Sequence, residues 1–203
     1  MDKDKLITEL QDEIVRLEDN LIHDNLTGLK TRAFLEHELS VYLEIIKQSS
    51  SVETQRRERF GFKNLSLIFL DIDFFKKVND AHGHDIGDLV LKRVAESVAS
   101  NVRTGDTVAR WGGEEMVVSL LGASEKDAVL KAEEIRAKVE ELGFPEASGL
   151  EVTMSAGVAS SENGLTLEDL VKRADEALYK AKETGRNKVV SYSECGIMEP
   201  VTS

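Results

Sequence analysis

A glycine pair between two short apolar runs constrains this chain more than any other feature. Gly112-Gly113 follows the run Thr107–Trp111 and precedes the run Met116–Leu121. Glycine tolerates a positive φ and carries no side chain, so the pair predicts a β-hairpin whose turn a ligand can approach closely. Glu114-Glu115 comes directly after it. Two carboxylates there are candidate ligands for a divalent metal, although a plain solvated hairpin has the same pattern.

The charge balance excludes several classes of partner. The 203 residues include 26 Lys and Arg against 38 Asp and Glu, a formal charge of −12. Such a chain repels phosphate backbones and anionic membranes, so we expect neither nucleic acid nor a membrane as a partner. The single Cys195 permits no internal disulfide, and no apolar run reaches the ~20 residues of a membrane span. The charged start lacks a signal-peptide core, so we expect a cytoplasmic protein.

Residues 1–23 are predicted to form a separate helical segment. Apolar residues alternate at steps of three and four, at Ile7, Leu10, Ile14, Leu17 and Leu21. This heptad pattern predicts a short parallel coiled coil that joins two copies of the chain. Glu13 and Glu18 occupy its g and e positions, where like charges face each other and predict a weak homodimer. The alternative is a single helix that docks on its own domain.

The rest of the chain predicts one α+β domain over residues 24–192 and a flexible tail over residues 193–203. A turn at Asp24–Leu29 leads into a helix, and the polar stretch Gln48–Lys63 predicts an exposed loop. Periodicity predicts helices over 31–47, 88–102, 126–142 and 167–183, and strands over 65–70, 107–111, 116–121, 152–158 and 188–191. The stretch between the strand over 65–70 and residue 88 is also helix-like, with an interruption at Gly83 and Gly87. The order of these elements predicts helices that cover a mostly antiparallel central sheet.

Acidic residues stand at the end of the first long strand. Side chains of Asp71-Ile72-Asp73 are expected where the strand leaves the sheet. If the hairpin pairs beside this strand, Glu114 or Glu115 joins Asp71 around one or two Mg²⁺ ions, which favour carboxylate, carbonyl and phosphate oxygens. The alternative for Asp71 and Asp73 is N-capping of the next helix.

A basic pair marks the end of the last long helix. Lys182 and Arg186 are four residues apart, a spacing that allows both to reach one anion. The alternative is that they complement the dipole of the helix before Gly185 ends it.

Taken together, these motifs resemble those of the GGDEF-domain diguanylate cyclases. The matching segments are Asp71–Lys76, Asn79-Asp80, Gly83–Asp88, Arg110–Glu115, Ala174–Lys182 and Gly185–Asn187. The resemblance extends from Asp24 to about Ser191 and implies the palm-like fold shared with nucleotide cyclases and polymerases. It also implies an enzyme that condenses two GTP into cyclic di-GMP and releases two pyrophosphates.

The resemblance assigns the metal and catalytic roles. It makes Asp71, Glu114 and the Ile72 carbonyl metal ligands, with Glu115 as a further ligand or a base. Lys76 joins Glu114 and Glu115 as a catalytic residue. The implied cofactor is Mg²⁺, which Mn²⁺ can replace.

It also assigns the GTP contacts. Asn79 and Asp88 are the expected guanine readers, because an amide and a carboxylate together match the N3, amine and N1–H groups of that base. His84 matches a substrate-contacting position. The remaining contacts go to the triphosphate: the side chains of Lys76, Lys182 and Arg186 and the backbone amides of Gly112 and Gly113.

Each such domain holds one GTP, so two domains must face each other across a two-fold axis for each 3′-hydroxyl to reach the opposite phosphorus. Arg103 and Asp106 match the RxxD site at which cyclic di-GMP inhibits members of the family. The alternative is a surface ion pair.

Three positions depart from the usual family pattern. Met116 replaces Phe and predicts looser packing under the hairpin, Glu114 replaces Asp, and Thr31 stands where Asn is usual. One rival function is a catalytically silent module that binds GTP or cyclic di-GMP. Another is a cyclase with relaxed base choice that makes cyclic GMP-AMP, against which Asp88 argues.

Overall fold

The computed structural model describes residues 3–49, 64–161 and 165–196. Its elements are α1 (Lys3–Ile22), β1 (Lys30–Thr31), α2 (Arg32–Ser49), β2 (Leu65–Ile72), α3 (Phe75–His82), α4 (His84–Ser100), β3 (Thr107–Gly112), β4 (Glu115–Leu121), α5 (Glu125–Glu140), β5 (Met154–Ser160), α6 (Leu167–Glu183) and β6 (Val189–Ser191). A 3-10 turn over Tyr192–Cys195 follows β6. The loop predicted over residues 48–63 lies mostly outside the described residues.

Strand β2 lies at the centre of a six-stranded sheet with the order β1-β3-β4-β2-β5-β6. It pairs antiparallel with β4 on one side and β5 on the other. The outermost pairs, β1 with β3 and β5 with β6, are parallel. Every residue of β2 is buried, as expected for a strand covered by helices on both faces. The predicted α+β fold with a mostly antiparallel central sheet is confirmed.

The alternation of side chains along β2 separates two apolar cores. Ile68 and Leu70 pack with residues of α3, α4 and α5 on one face. Leu67 and Phe69 pack with residues of α2 and α6 on the other face. Asp71 continues the second series, so its side chain emerges on the side of the sheet that α6 covers.

Helix α6 lies directly on strand β5 because Gly157 has no side chain. A Cβ built at Gly157 would stand 2.1 Å from both the Ala174 carbonyl oxygen and the Leu178 backbone nitrogen. Contacts that short do not occur, so any side chain there forces the helix away from the sheet. The approach sets the height of α6 over the sheet, and α6 carries Lys182 to the end of β2.

Two local features differ from the sequence predictions. Thr31 was predicted in a helix but forms the short strand β1 with Lys30, because the pair finds backbone partners along β3. Gly83 and Gly87 were predicted to interrupt a helix together. Gly83 does so with a φ of 84°, whereas Gly87 is a buried interior residue of α4.

Helix α1 carries its apolar seam on the surface. Ile7, Leu10, Leu17 and Leu21 are 47 to 72% exposed, so they do not dock on the rest of the chain. The fifth seam position, Ile14, has a side chain outside the described part of the structure. No helix within the described ranges is both long and apolar enough to cross a bilayer.

Candidate active site

Two carboxylates face each other where β2 ends and β4 begins. The strand register places Asp71 of β2 directly opposite Glu115 of β4, so both side chains lie on the same face of the sheet. Glu114 precedes β4 in the hairpin turn and is close enough for its charge to act on Asp71. The hairpin strand therefore pairs beside β2, which is the condition under which Glu114 or Glu115 was expected to join Asp71.

Helix α6 places a cation on this acidic pair. Lys182 Nζ lies 2.7 Å from Asp71 Oδ2. Burial raises the pKa of the Asp71 carboxyl, Lys182 partly opposes that rise, and the charge of Glu114 adds to it. Burial and the facing Asp71 charge also raise the pKa of Glu115. The carboxylates are thus crowded and short of positive charge.

Asp73 lies just beyond β2, and its carboxylate makes structural hydrogen bonds. Its buried carboxylate accepts hydrogen bonds from Thr153 Oγ1 at 2.8 Å, from Ser155 Oγ at 2.7 Å and from the Asn187 backbone N–H at 3.0 Å. It therefore joins the end of β2 to β5 and to the turn after α6. The N-capping alternative is wrong for Asp73, because α3 begins at Phe75 and its N-cap residue is Phe74, which makes no side-chain capping hydrogen bond.

The glycine turn is fixed by an arginine from β3. Arg110 Nε donates to the Gly113 carbonyl oxygen at 2.9 Å, and its NH1 donates to both carboxylate oxygens of Asp24 at 3.1 and 3.2 Å. Asp24 also accepts from the backbone N–H and hydroxyl of Thr27. The segment after α1 is thereby connected to the hairpin turn, in which Gly113 adopts a φ of 52°.

The predicted guanine readers lie on the neighbouring helices α3 and α4. A Cβ at Gly87 would stand 1.9 Å from Asn79 Oδ1, so Asn79 occupies the space that this glycine leaves open. Asp88, the next residue of α4, is exposed beside it, and His84 is exposed in the first turn of the same helix. Lys76 is exposed on α3, near its start at the end of β2.

Arg186 reaches the same region from the turn after α6. Its guanidinium lies over the ring of Phe74, 4.6 Å from the ring centroid. Lys182 and Arg186 therefore both point back toward the end of β2. The interpretation of the pair as cations that serve only the dipole of their own helix is too narrow, because Lys182 pairs with Asp71.

The predicted inhibitory pair lies in a turn away from these carboxylates. The Arg103 backbone N–H donates to Asp106 Oδ2 at 3.1 Å, and the Asp106 N–H donates to the Arg103 carbonyl at 2.9 Å. Within the described residues, no salt bridge links the two side chains. The Arg103 side chain is exposed and borders an open pocket together with His23 and Lys30.

Among the described residues, no three His, Cys, Asp or Glu side chains converge closely enough to hold a metal ion alone. A magnesium site that consists of one or two carboxylates, a carbonyl and substrate phosphates does not need three. Asp71 and its neighbouring glutamates supply oxygen ligands and an excess of negative charge. They fit a hard cation that arrives with a triphosphate.

The roles of Asp73 and Phe74 and the contact between Asp24 and Arg110 were not predicted from the sequence. Asp73 was considered as a ligand or cap, but its partners are 80, 82 and 114 residues away. No local pattern announces such contacts. For Asp24, the only local indication of a role was its charge within the turn before the second helix.

Known proteins match most of this chain in sequence. Residues 21–188 match the family model described as diguanylate cyclase, GGDEF domain. Response regulator PleD of Caulobacter vibrioides is 43% identical over 173 residues, which cover 83% of this chain and 36% of PleD. Diguanylate cyclase DosC of Escherichia coli is 36% identical over 186 residues, which cover 91% of this chain and 37% of DosC. The chain thus spans little more than a third of the length of these two relatives.

A solved structure extends the similarity to the fold. The coiled coil and GGDEF domain of DgcB from Caulobacter crescentus, in complex with c-di-GMP, matches with a TM-score of 0.80 and 26% identity, over 93% of this chain and 94% of that chain. The region matched by the family model includes β2, β4, α3, α4 and α6, the elements that border the acidic site. This chain belongs to the GGDEF-domain diguanylate cyclase family.

Proposed function

We propose that this chain is a diguanylate cyclase domain that condenses two GTP into cyclic di-GMP and two pyrophosphates. The observation that carries the proposal is the facing of Asp71 and Glu115 across two paired strands, with Lys182 2.7 Å from Asp71. This arrangement combines carboxylates for a metal with cations for a triphosphate. Family membership narrows that chemistry to GTP.

Asp71, Glu114 and the Ile72 carbonyl would hold the metal, and Glu115 would be a further ligand or the base. Mg²⁺, with Mn²⁺ as a substitute, offsets the triphosphate charge and polarises the α-phosphoryl group when bound. Lys76, Lys182 and Arg186 neutralise the phosphates, and the backbone amides of Gly112 and Gly113 approach them without a side chain in the way.

The guanine is read between α3 and α4. The Asn79 amide and the Asp88 carboxylate satisfy the donors and acceptor on one edge of the base, a pattern that adenine does not offer. The close approach of Asn79 to Gly87 supports a fixed position for that amide. His84 is exposed at the start of α4 and contacts the bound nucleotide from there.

The reaction requires two chains. The 3′-oxygen of one GTP forms a bond to the α-phosphorus of the other, the bond to the bridging oxygen of pyrophosphate breaks, and the hydroxyl proton passes to Glu115 or water. A second, symmetric step closes the ring. Because each chain positions one GTP, the half-sites must meet across a two-fold axis.

Helix α1 brings the two chains together in this proposal. Its exposed seam of Leu10, Leu17 and Leu21 supports a parallel coiled coil with a second copy. The segment after α1 then continues through Asp24 to Arg110 and the glycine turn. A cytoplasmic location belongs to the same proposal, because the GTP pool is there.

The product regulates the enzyme at Arg103 and Asp106 in this proposal. The exposed Arg103 guanidinium is available to a guanine, and the Asp106 carboxylate already fixes the turn by accepting from the Arg103 backbone. Cyclic di-GMP bound at this turn restrains the half-sites from meeting.

The decisive experiment is incubation of the chain with GTP and Mg²⁺ at several protein concentrations, with products separated by chromatography and identified by mass. We expect cyclic di-GMP at a rate per chain that rises with protein concentration. Bound GTP or cyclic di-GMP without any product would favour a silent binding module. A cyclic GMP-AMP product from mixed GTP and ATP would show relaxed base choice.

A further inference from the structure

Phe74 has an unusual backbone conformation for a large side chain. It lies between β2 and α3 with φ 56° and ψ 25°, in the left-handed region. Bulky residues rarely adopt this conformation, and strain of this kind is concentrated at functional sites. The ring is also 50% exposed, so burial in a core does not account for the strain.

The strained backbone directs the ring at two cations. The Arg186 guanidinium lies 4.6 Å from the ring centroid, and Lys77 Nζ lies 4.2 Å from it. Arginine stacks on aromatic faces through both charge and planarity, so this contact restricts the rotation of a long, flexible side chain. The aromatic ring is therefore a platform for Arg186.

The backbone of Arg186 is held independently of that ring. Arg186 has a φ of 61°, and Asn187 has a φ of 46°. The Asn187 N–H donates to Asp73, and its side chain accepts from Arg136 NH1 at 2.7 Å and donates to Glu140 Oε1 at 2.8 Å. Because these contacts fix the backbone of the turn, only the side chain of Arg186 is still free to change direction.

We propose that Phe74 is a positioning residue that holds the Arg186 guanidinium ready for the triphosphate of GTP. Asp73 fixes the turn that carries Arg186, and its neighbour Phe74 fixes the side chain. The inference rests on the proposed function, because it takes Arg186 as a ligand of the triphosphate. It assigns to the aromatic ring a share of GTP affinity without any contact with the reacting atoms.

The test is a double-mutant cycle on nucleotide binding. The variants are Phe74→Ala, Arg186→Ala and the double variant, and the probe is 3′-deoxy-GTP with Mg²⁺, which lacks the attacking hydroxyl. We expect Phe74→Ala to raise the dissociation constant about two- to five-fold, the factor that an exposed cation–π contact supplies. In the Arg186→Ala background the same substitution should have no further effect, because its partner is gone.

Two further variants separate the aromatic face from mere bulk. Phe74→Tyr keeps the ring and should bind like the unmodified chain, whereas Phe74→Leu keeps an apolar side chain without a π face and should resemble Phe74→Ala. With GTP as substrate, Phe74→Ala should raise KM by the same factor and leave kcat within about two-fold, since Phe74 does not touch the reacting atoms.

The outcomes distinguish this inference from the function on which it rests. If the unmodified chain does not bind 3′-deoxy-GTP, both the proposed function and the positioning role are overturned. If it binds, and Phe74→Ala binds equally well or weakens binding to the same extent with and without Arg186, the positioning role alone is overturned. Binding of Phe74→Leu at full affinity would also overturn it, since a π face would then be dispensable.

Discussion

Asp71 and Glu115 stand directly opposite each other on adjacent antiparallel strands, a pairing in which like charges repel. Asp71 is buried, and the pairing of β4 with the central strand β2 keeps Glu115 opposite it. Repulsion between these two carboxylates therefore lowers the stability of the fold at the place where a cation and its triphosphate are proposed to bind.

Glu115→Gln is expected to stabilise the folded chain while it lowers turnover. Burial and the Asp71 charge raise the pKa of Glu115 above its ordinary 4.5, so its ionised form is disfavoured in the folded state. Water screens the charge of this partly exposed side chain, and with that screening taken into account the removal of the charge should raise the free energy of unfolding by about 0.5–1 kcal/mol at neutral pH. Urea unfolding with a chelator present measures this.

The stabilisation should depend on pH with a definite sign. A raised folded-state pKa lowers stability as the pH rises, so the gain is full above that pKa and absent below about 4.5, where Glu115 is protonated in both states. Glu96→Gln, an exposed substitution on α4, is the control and should change stability by less than about 0.5 kcal/mol. An equal gain in the free energy of unfolding in both variants would show that repulsion between Asp71 and Glu115 is not its cause.

Gly87→Ala is expected to weaken GTP binding without unfolding the chain. The new methyl group would collide with Asn79 Oδ1, which must leave its position, while alanine itself favours the helix. Loss of the hydrogen bond between the Asn79 amide and guanine should lower the affinity for GTP about ten-fold. Titration with 3′-deoxy-GTP measures the loss, and thermal unfolding verifies the fold.

Gly143→Ala is the matched control for that experiment, because nothing lies within 4 Å of the Cβ it would add. It should bind 3′-deoxy-GTP like the unmodified chain. Full affinity in Gly87→Ala would show that Asn79 can move without cost and would weaken its assignment as a guanine reader.

Asp24→Asn is expected to destabilise the chain at neutral pH. Burial alone would raise the pKa of Asp24, but hydrogen bonds from Thr27 and the Arg110 charge outweigh it and lower that pKa below 3.8. The ionised carboxylate therefore contributes stability above pH 3.8, which is lost as the pH falls through the lowered pKa. We expect a loss of about 1 kcal/mol in the free energy of unfolding at neutral pH.

The difference between Asp24→Asn and the unmodified chain should shrink as the pH falls below 3.8 and through the lowered pKa of Asp24. Asp12→Asn, on the exposed surface of α1, should show no such difference at any pH. A loss that stays constant across the acid range would mean that the amide disturbs the turn sterically and that the charge of Asp24 is unimportant.

Arg103→Ala is expected to raise the concentration of cyclic di-GMP needed for half-inhibition by at least about ten-fold, the effect of removing a charged hydrogen-bond donor from a bound base. Initial rates at increasing cyclic di-GMP measure it. Lys92→Ala removes a positive charge from exposed α4 and serves as the control. Unchanged inhibition in Arg103→Ala would assign Arg103 and Asp106 to a purely structural turn.

Much of the fold was predictable because local patterns encode it. Helix α6 was predicted over Leu167–Glu183 and forms there, since its apolar period is regular and Thr166 caps it. The hairpin and its acidic turn were equally evident from the glycine pair. The two-residue strand β1 was not, because it exists through pairing with β3 and not through a pattern of its own.

Periodicity and spaced motifs are properties of neighbouring residues, so the sequence alone was enough to predict the order of the longer elements, the acidic turn and the family. Three contacts could be learned only from the folded chain: Asp71 faces Glu115, Asp73 holds the turn at Asn187, and Phe74 lies under Arg186. Strand register and helix height set those contacts. Both depend on packing between segments that are far apart along the chain.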